Sequence, residues 1–563
     1  MPGKDSAPAP QNASVSLTRA AEAHIVVYSR KALFLILVLA FALRLGWALH
    51  SAHAVENEGA EYARIAQNLL HQHRYNGILG GPESIFPPLY PCLIAVGSFL
   101  TGDTEIAGRA ISVVMGSLLV VPVFFMGRRL FGLRTGYLAG ALIALQPLLV
   151  ALSASVYVES TYLTLLFGGL YFGIRALDFD HLRHAFLCGL LLGLAYLARP
   201  EGLAYAVLVG VFIALALAFR ETPTETALKY ACTLAVATMI LVIPYATYLT
   251  ARGGTLRLEG KSALNEIINQ RMNRGMDYLE AGYGLGPHLE PEGPYLTADQ
   301  FALKVPSMSH ELATMARSYF HGIVGRTAHV VIGVAMERAF GSTLICLLAL
   351  VGIFRPGWAD RKWFGEGLLL GAAGLTLIIL LSLRFVWGRY LFPFLPFLVL
   401  CAAVGIDFIS RRIVQCLRGT KLARVATVTP LVLTATLLLW AMPGVPRDRE
   451  LAESSEKYLK EAGRWLDRYK PGSKSLMAVG STLPYYANGT QLYLPYTDST
   501  RALAYIHGKR PDFIVLQGDE LNTRPYMRDW FQHSIPDACA QPIRHTDGTE
   551  LQEIEIYQWN CSK

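Results

Sequence analysis

The sequence predicts a polytopic α-helical membrane protein of about eleven transmembrane helices with external interfacial helices, closed by a small C-terminal soluble α/β domain. Three observations predict it. Of 563 residues, 53% are apolar and 16% charged, against about 25% charged in an ordinary soluble domain, and mean hydropathy is +0.36. Apolar runs near the length of a bilayer crossing, roughly 20 residues, recur along the chain. Lys and Arg collect in alternate loops, the bias that orients membrane proteins. A soluble enzyme, a disordered scaffold and a fibrous protein are excluded by these figures.

Residues 1–24 are rich in Ala, Pro and Ser and are expected to form a disordered cytoplasmic N-terminus. The spans are expected at 32–49, 107–127, 136–153, 160–175, 185–198, 202–219, 230–249, 339–354, 365–383, 390–410 and 425–442. The first follows Arg30 and Lys31 and precedes Ala52-His53-Ala54, so it resembles a signal peptide. Its apolar run is longer than the typical h-region of about 7–15 residues and many spans follow, so it reads as a retained anchor. Arg128, Arg129 and Arg134, then Arg175 and Arg183, Arg220 and Lys229, Arg355, Arg361 and Lys362, and Arg411, Arg412, Arg418, Lys421 and Arg424 occupy alternate loops, which face the cytoplasm if the N-terminus does. Topology thus accounts for the net charge of +8, and no nucleic-acid partner is expected.

An odd number of crossings places the C-terminus outside. The chain divides into a transmembrane domain over 25–442, with external segments 50–106 and 250–338, and an external domain over 443–563. In the first external segment, Tyr62, Ile65, Ala66, Leu69 and Leu70 share one face of an amphipathic interfacial helix. Glu61 can face solvent on that helix. The apolar run Phe86 to Leu100 is short and opens on Pro87-Pro88, so it reads as a second interfacial helix; counting it as a span would invert the charge bias of every later loop.

In the last segment, Tyr458, Leu459, Ala462, Trp465, Leu466 and Tyr469 predict an amphipathic helix ended by Pro471-Gly472. Leu476 to Val479 and Phe513 to Leu516 read as buried strands, Ala502 to Gly508 as a short helix, and Leu551 to Trp559 as an alternating strand. Cys92, Cys188, Cys232, Cys346, Cys401 and Cys416 lie singly in or beside apolar segments and read as buried small hydrophobes. Cys539 and Cys561 share the external segment, where an oxidising compartment permits a disulfide.

Ionisable residues at the mouth of a membrane domain are functional candidates because placing them there is unfavourable. Arg44, the group Glu56, Glu58 and Glu61, the hairpin residue Glu159, the turn residues Arg199 and Glu201, and Arg384, Arg389 and Tyr390 all fall at external span ends. Converging on one cavity, they would combine guanidinium groups that clamp a phosphate with carboxylates that deprotonate an attacking hydroxyl. Simpler readings stand beside this one. The glutamates can form a solvated loop, Arg44 can snorkel to the headgroups, and Arg199 and Arg389 can be interfacial anchors. Gly260-Lys261-Ser262 is not a phosphate loop, because position 255 is Thr where a Walker motif needs Gly. Lys261 can still meet a lipid phosphate as a point charge, or remain a solvated loop lysine.

The order of motifs is similar to that of the polyprenyl-phosphate-dependent glycosyltransferases of the GT-C superfamily. The resemblance is to the branch holding bacterial protein O-mannosyltransferase-like enzymes and the lipid A aminoarabinose transferase. It rests on the acidic motif and Tyr-Ala-Arg-Ile-Ala helix of Glu58 to Leu70, on Pro87-Pro88-Leu89-Tyr90-Pro91, Tyr157-Val158-Glu159, Ala198-Arg199-Pro200-Glu201-Gly202, and on Gly388-Arg389-Tyr390 leading to Pro396. It spans about 20–560.

The resemblance implies an inverting transferase in a bacterial inner membrane. It would take one sugar from a polyprenyl-phosphate donor to a hydroxyl of a lipid, glycan or protein acceptor on the periplasmic face, with a divalent cation as a possible cofactor. The family's acid after the first span is usually Asp; here Glu56-Asn57-Glu58-Gly59 stands in its place. Glu58, four residues before Tyr62, carries over as the base, with Glu56 its rival and Glu159 at the second acidic position. Arg389 and Tyr390, and with them Arg199, Lys261 and Arg44, are candidates for the donor phosphate. Glu83 lies near a metal-binding glutamate of some relatives, at a different spacing. A flippase or transporter of lipid-linked saccharides is the alternative, but transporters place such groups near the midplane, often in repeated halves. A membrane-anchored binding protein would not need acid and arginine at five separate turns.

Overall fold

The structure, a computed structural model, describes residues 11–50, 54–303, 342–355, 363–382, 392–417, 429–441, 446–546 and 553–561. Helices occupy each of the eleven expected apolar runs. They are α1 (Gln11–His50), the continuous pair α4 (Thr104–Leu118) and α5 (Val120–Phe131), α6 (Leu133–Leu145) with α7 (Pro147–Ser153), α8 (Glu159–Ala176), α9 (Leu182–Ala198), α10 (Gly202–Ala218), α11 (Thr224–Gly253), α14 (Ser342–Phe354), α15 (Trp363–Ser382), α16 (Leu395–Cys416) and α17 (Thr429–Ala441). Among the described residues, four are long and apolar enough by themselves to cross a membrane: Arg30–His50, Thr104–Phe131, Thr224–Gly253 and Phe392–Cys416. A fifth is added if α6 and α7 are taken together. The protein is thus a multi-pass helical membrane protein.

Two expectations need correction here. The third run is not one helix. Pro147 cannot continue the hydrogen-bond ladder and pushes Gln146 into an extended conformation, so α6 and α7 meet at 56°. Of the six cysteines expected to be buried, Cys188 is, whereas Cys92, Cys232 and Cys416 are exposed. Apolar helix faces that meet lipid leave such side chains outside the protein core.

Residues expected in cytoplasmic loops do share one end of the bundle. Arg129 and Arg175, from different loops, both pair with Asp178 (2.6 and 3.2 Å), and Arg411 pairs with Asp407 at 2.6 Å.

At the other end, two short helices lie between α1 and α4: α2 (Asn57–Gln72) and α3 (Leu89–Thr101). The thirteen residues of α3 extend about 20 Å and leave Val96, Phe99 and Leu100 exposed, as expected of an interfacial helix. α2 departs from expectation. Its apolar face packs on the bundle, but Glu61, Arg64 and Asn68 of the opposite face are buried as well: C-terminal residues meet Glu61 and Arg64, and Asn68 donates to the Asn76 carbonyl. In the second external segment, α12 (Lys261–Asn273) and α13 (Tyr278–Tyr283) lie against both regions.

The C-terminal residues form a five-stranded sheet of order β2-β1-β3-β5-β4. Its strands are β1 (Ser475–Ala478), β2 (Thr490–Tyr493), β3 (Phe513–Gln517), β4 (Ala540–Thr546) and β5 (Ile554–Trp559). β1 runs parallel to β2 and β3, while β5 is antiparallel to β3 and β4. Side chains alternate across the sheet. Leu476, Ala478, Phe513 and Val515 meet Leu459, Ala462 and Leu466 of α18 (Pro446–Tyr469). Met477, Ile514 and Leu516 meet Tyr505 of α20 (Ser499–Lys509) and Trp530 of α21 (Met527–His533). β1, β3, β5, α18 and α20 lie where the sequence predicts strand and helix; β2, β4 and α21 were not foreseen. Cys539 and Cys561 are joined by a disulfide.

Candidate active site

The catalytic candidates follow α1 on a short extended stretch. Glu56 is the extended N-cap residue of α2 and Glu58 lies in its first turn. That stretch is held by the small helix α19 (Thr482–Tyr486) and the residues before it. Asn57 Oδ1 accepts from the backbone N–H of Ser481 at 2.7 Å and of Thr482 at 3.3 Å. Thr482 Oγ1 donates to the Val55 carbonyl at 3.1 Å, and Tyr486 Oη accepts from the Val55 N–H at 2.9 Å. Four side-chain-mediated bonds from the C-terminal domain thus fix the backbone that carries the two carboxylates.

Both glutamates line a cavity of about 620 Å³ that also receives Glu61, Glu83, Tyr157, Lys261, Asn265, Gln300 and Ser481. The volume lies in the range of small-molecule sites, about 300–1,000 Å³. Lys261 reaches it as the first residue of α12. This placement depends on Gly260, where a Cβ would fall 2.0 Å from the Ser84 carbonyl oxygen. The lysine at this false phosphate loop therefore faces the same cavity as the carboxylates.

Behind Glu58 stands Tyr62, buried with its ring edge-on to Phe86 and Tyr90 at 5.0 and 5.1 Å. Burial first, then the nearby charges of Glu58 and Glu159, push its hydroxyl well above the usual tyrosine range, while Arg199 opposes them. Tyr62 thus feels both Glu58 and an ion network at the ends of α8, α9 and α10. There Arg199 donates from Nη1 to Glu159 Oε1 at 3.2 Å and from Nη2 to Glu201 Oε1 at 3.3 Å, and lies 5.6 Å from the Tyr162 ring centroid. Glu159 is 3% exposed, so its hairpin is not a solvated loop.

Glu61 and Glu83 form a second, inner pair of carboxyls. Glu83 Oε1 accepts from the N–H groups of Ile85 (2.6 Å) and Phe86 (3.1 Å). Glu61 Oε2 accepts from the Ile78 N–H at 3.1 Å, and its Oε1 lies 3.5 Å from Ser481 Oγ, which in turn donates to Gln491 Oε1 at 2.7 Å. Gly77 fits between the carboxyls, since a Cβ there would lie 2.6 Å from Glu83 Oε2 and 3.6 Å from Glu61 Oε2. Burial, reinforced by the like charge of Glu83, pushes Glu61 up to about 8; burial raises Glu83 as well. The sequence alone left Glu61 facing solvent. Its burial was hidden because part of its cover, Ser481, lies 420 residues away in sequence.

Arg44 stands apart from this cavity. It is fully buried in the bundle, where its guanidinium donates to the carbonyls of Ala40, Ile143 and Ala144 at 3.0–3.2 Å and to Ser153 Oγ at 3.3 Å. Ile143 and Ala144 lie in the last turn before the Gln146-Pro147 break, so Arg44 satisfies carbonyls that Pro147 leaves without helical donors. It neither snorkels nor reaches the cavity. Arg384, Arg389 and Tyr390 lie outside the described residues.

Glu83 was the expected metal ligand, and the carboxylate oxygens near it suit a hard cation, which takes six or more oxygen ligands. Glu61 is its partner, but no third His, Cys, Asp or Glu at this cavity converges with them among the described residues. The one such three-residue group, His507, Asp537 and Cys539, lies elsewhere, and Cys539 is taken up by the disulfide. The described donor set therefore falls short of an ion site, and no chemical step is routed through a metal here.

Residues 86–248 match the dolichyl-phosphate-mannose-protein mannosyltransferase family. No curated protein matches the chain. Among solved structures, the fold is similar to the archaeal oligosaccharyltransferase AglB from Archaeoglobus fulgidus, in complex with an inhibitory peptide and a dolichol-phosphate. The TM-score is 0.55 at 14% identity, covering 95% of this chain and 74% of that one. The same enzyme in complex with Zn and sulfate gives 0.54 at 14% identity over 92% and 72%. ArnT from Cupriavidus metallidurans bound to undecaprenyl phosphate gives 0.54 at 13% identity over 95% and 98%. These likenesses bear out the resemblance read from the motifs: the chain has the GT-C fold, and with the family match it is a membrane glycosyltransferase.

Proposed function

We propose that this GT-C-fold glycosyltransferase moves a single sugar from a polyprenyl-phosphate donor to an acceptor hydroxyl, by inverting direct displacement. The observation that carries the reading is the meeting of Glu56, Glu58 and Lys261 in one cavity, with the Arg199–Glu159 pair near Tyr62. Glu58 takes the proton of the acceptor hydroxyl as its oxygen attacks the anomeric carbon. The bond from that carbon to the phosphate oxygen breaks, and its electron pair leaves with the polyprenyl phosphate. A phosphate is weakly basic, so no general acid is required.

Lys261 and Arg199, joined by Arg389 and Tyr390, balance charge on the leaving phosphate. Glu159 orients Arg199. Glu56 is the rival base. In this reading eleven helices cross a bacterial inner membrane, residues 1–24 and the N-terminus are cytoplasmic, and 25–442 forms the transmembrane catalytic domain. The cavity and an α/β domain over 443–563 face the periplasm.

The test is turnover of a mixed polyprenyl-phosphate-sugar extract by the purified protein in detergent, with crude membrane as acceptor. Wild type consumes donor; Glu58→Gln, still folded, loses roughly 100- to 10,000-fold, the contribution of a general base. Glu159→Gln and Arg389→Ala also lose rate. Loss in Glu56→Gln with Glu58→Gln active would move the base to Glu56. No donor consumption by wild type, with labelled lipid-linked saccharide moved across vesicles instead, would overturn the reading.

A further inference from the structure

The cavity has a further wall that the transfer chemistry leaves unused. Tyr278, Tyr283, Tyr295 and Tyr493 all line it. They come from α13, from the turn over Pro294–Leu296 and from β2. Tyr283 is central: its ring centroid lies 5.0 Å from that of Tyr295 and 5.2 Å from that of Tyr493. The hydroxyls of Tyr278 and Tyr295 are 3.3 Å apart. Arg524, outside the cavity wall and 2% exposed, lies over the Tyr283 ring at 4.4 Å with its Nε bonded to the Leu494 carbonyl at 2.8 Å. A buried cation against one ring and two neighbouring aromatics fix the orientation of this surface before any ligand arrives.

We propose that this tyrosine wall is the acceptor subsite and that the acceptor is an uncharged glycan, a pyranose ring of which lies on the tyrosines while a hydroxyl points to Glu58. The inference rests on the transfer reading above and narrows its acceptor class. A pyranose presents a face of C–H groups to an aromatic ring and a rim of hydroxyls to its edges. Asn265, Gln300 and Ser481 supply such edge partners on the same cavity.

Two further observations separate a neutral glycan from the other acceptors. An extended peptide binds by adding to a sheet edge, and β2 is the edge strand nearest the cavity. Its neighbours in this chain already occupy that edge: the Gln491 N–H donates to the Ile78 carbonyl at 3.0 Å, and just beyond β2 the Tyr496 N–H donates to the Tyr283 carbonyl at 2.8 Å. An acceptor with several phosphates meets a cavity of the wrong sign, since Glu56 and Glu58 face a single described cation, Lys261, and the buried Glu61 and Glu83 add no positive charge.

Saturation-transfer NMR on the full-length protein in detergent tests this, with methyl glycosides of neutral hexoses, pentoses and N-acetylhexosamines as probes. A Ser/Thr-rich peptide and a glucosamine phosphate serve as comparison ligands. At least one neutral glycoside is expected to bind with transfer from aromatic protons. Its Kd is expected to weaken about tenfold in Tyr278→Ala and Tyr295→Ala, the value of one aromatic contact, and to change little in Tyr278→Phe and Tyr295→Phe, which keep the rings and the fold. Absence of saturable binding by every neutral glycoside, or binding indifferent to the alanine variants, overturns the proposal. So does preferential binding of the peptide or the phosphorylated sugar.

Donor turnover is followed in parallel. If donor is consumed with peptide or phosphorylated acceptor at rates the tyrosine variants do not alter, the glycan subsite is wrong and the transfer reading stands. If glycosides bind at the tyrosines but no donor is consumed with any acceptor, the transfer reading is what fails.

Discussion

Replacing Glu61 by glutamine isolates the energetic effect of one buried carboxyl. In the folded protein burial and the neighbouring Glu83 push Glu61 from 4.5 up to about 8. The unfolded chain therefore releases this proton near the ordinary glutamate value, while the folded chain holds it. By linkage, stability tied to the protonated form is fully present below about 4.5 and is lost as pH rises toward about 8. A change from 4.5 to about 8 corresponds to about 5 kcal/mol, of which about 3 kcal/mol is lost by pH 7.

Glutamine keeps an acceptor for the Ile78 N–H and never ionises. Glu61→Gln should thus match wild type near pH 5 and become progressively more stable than wild type as pH rises to about 8.5, approaching that full difference. Thermal unfolding in detergent across this pH range measures it. Glu83→Gln supplies a directional control: removing the like charge lowers the Glu61 value, so the loss of stability still begins near 4.5 but ends at lower pH and is smaller. A Glu61→Gln advantage that is flat with pH, or largest in acid, would refute the reasoning.

The other expectations concern the supports of the site and the fold. Asn57→Ala removes the acceptor of the Ser481 and Thr482 N–H groups, a loss of about 1–3 kcal/mol; kcat should fall about tenfold or more with donor KM little changed, and Asn57→Asp should restore it. Arg44→Met leaves the carbonyls of Ile143 and Ala144 without their donor and should lower stability by about 3 kcal/mol or more, read as a lower melting midpoint with donor affinity of the surviving folded fraction intact. The double variant Cys539→Ser, Cys561→Ser opens a closure spanning 22 residues and should destabilise the C-terminal sheet by about 3 kcal/mol, seen as earlier proteolysis of that region.

What the sequence makes legible follows its periodicities. Long apolar runs mark the membrane helices, the short continuous apolar runs Leu476 to Val479 and Phe513 to Leu516 mark β1 and β3, and the alternating run Leu551 to Trp559 marks β5. The polar face of α2 misled because amphipathicity reports only what an isolated helix needs; Glu61, Arg64 and Asn68 are covered by other parts of the chain. Arg64, for example, bonds Asn488 Oδ1 at 2.8 Å and the carbonyls of Pro484 and Tyr485 at 3.2 and 3.1 Å. β2 is four residues with one fully buried position, and β4 carries Pro542 on the edge of the sheet, where a missing N–H is tolerated; neither gives a pattern to read. Pro147 did carry a usable signal, because the residue before a proline is driven out of the helical region. The tyrosine wall is drawn from three elements at no common spacing, so no repeat could reveal it.

The placement of charge gives the cavity a direction. Arg199 and its two glutamates sit where α8, α9 and α10 meet. The tyrosines sit on elements that pack with the C-terminal sheet. On the proposed reading, a donor whose lipid chain lies among the helices would present its phosphate toward Arg199 and its anomeric carbon toward the stretch from Glu56 to Glu58, with the acceptor approaching from the tyrosine wall, since in-line displacement needs the nucleophile and leaving group on opposite sides of that carbon. The bonds from Asn57 to Ser481 and from Thr482 to Val55 tie this stretch to the sheet that also carries Tyr493. The C-terminal sheet therefore holds the tyrosine wall and the Glu56–Glu58 stretch in register with each other, and on the proposed reading loosening it should raise acceptor KM and lower kcat together while leaving donor binding unchanged.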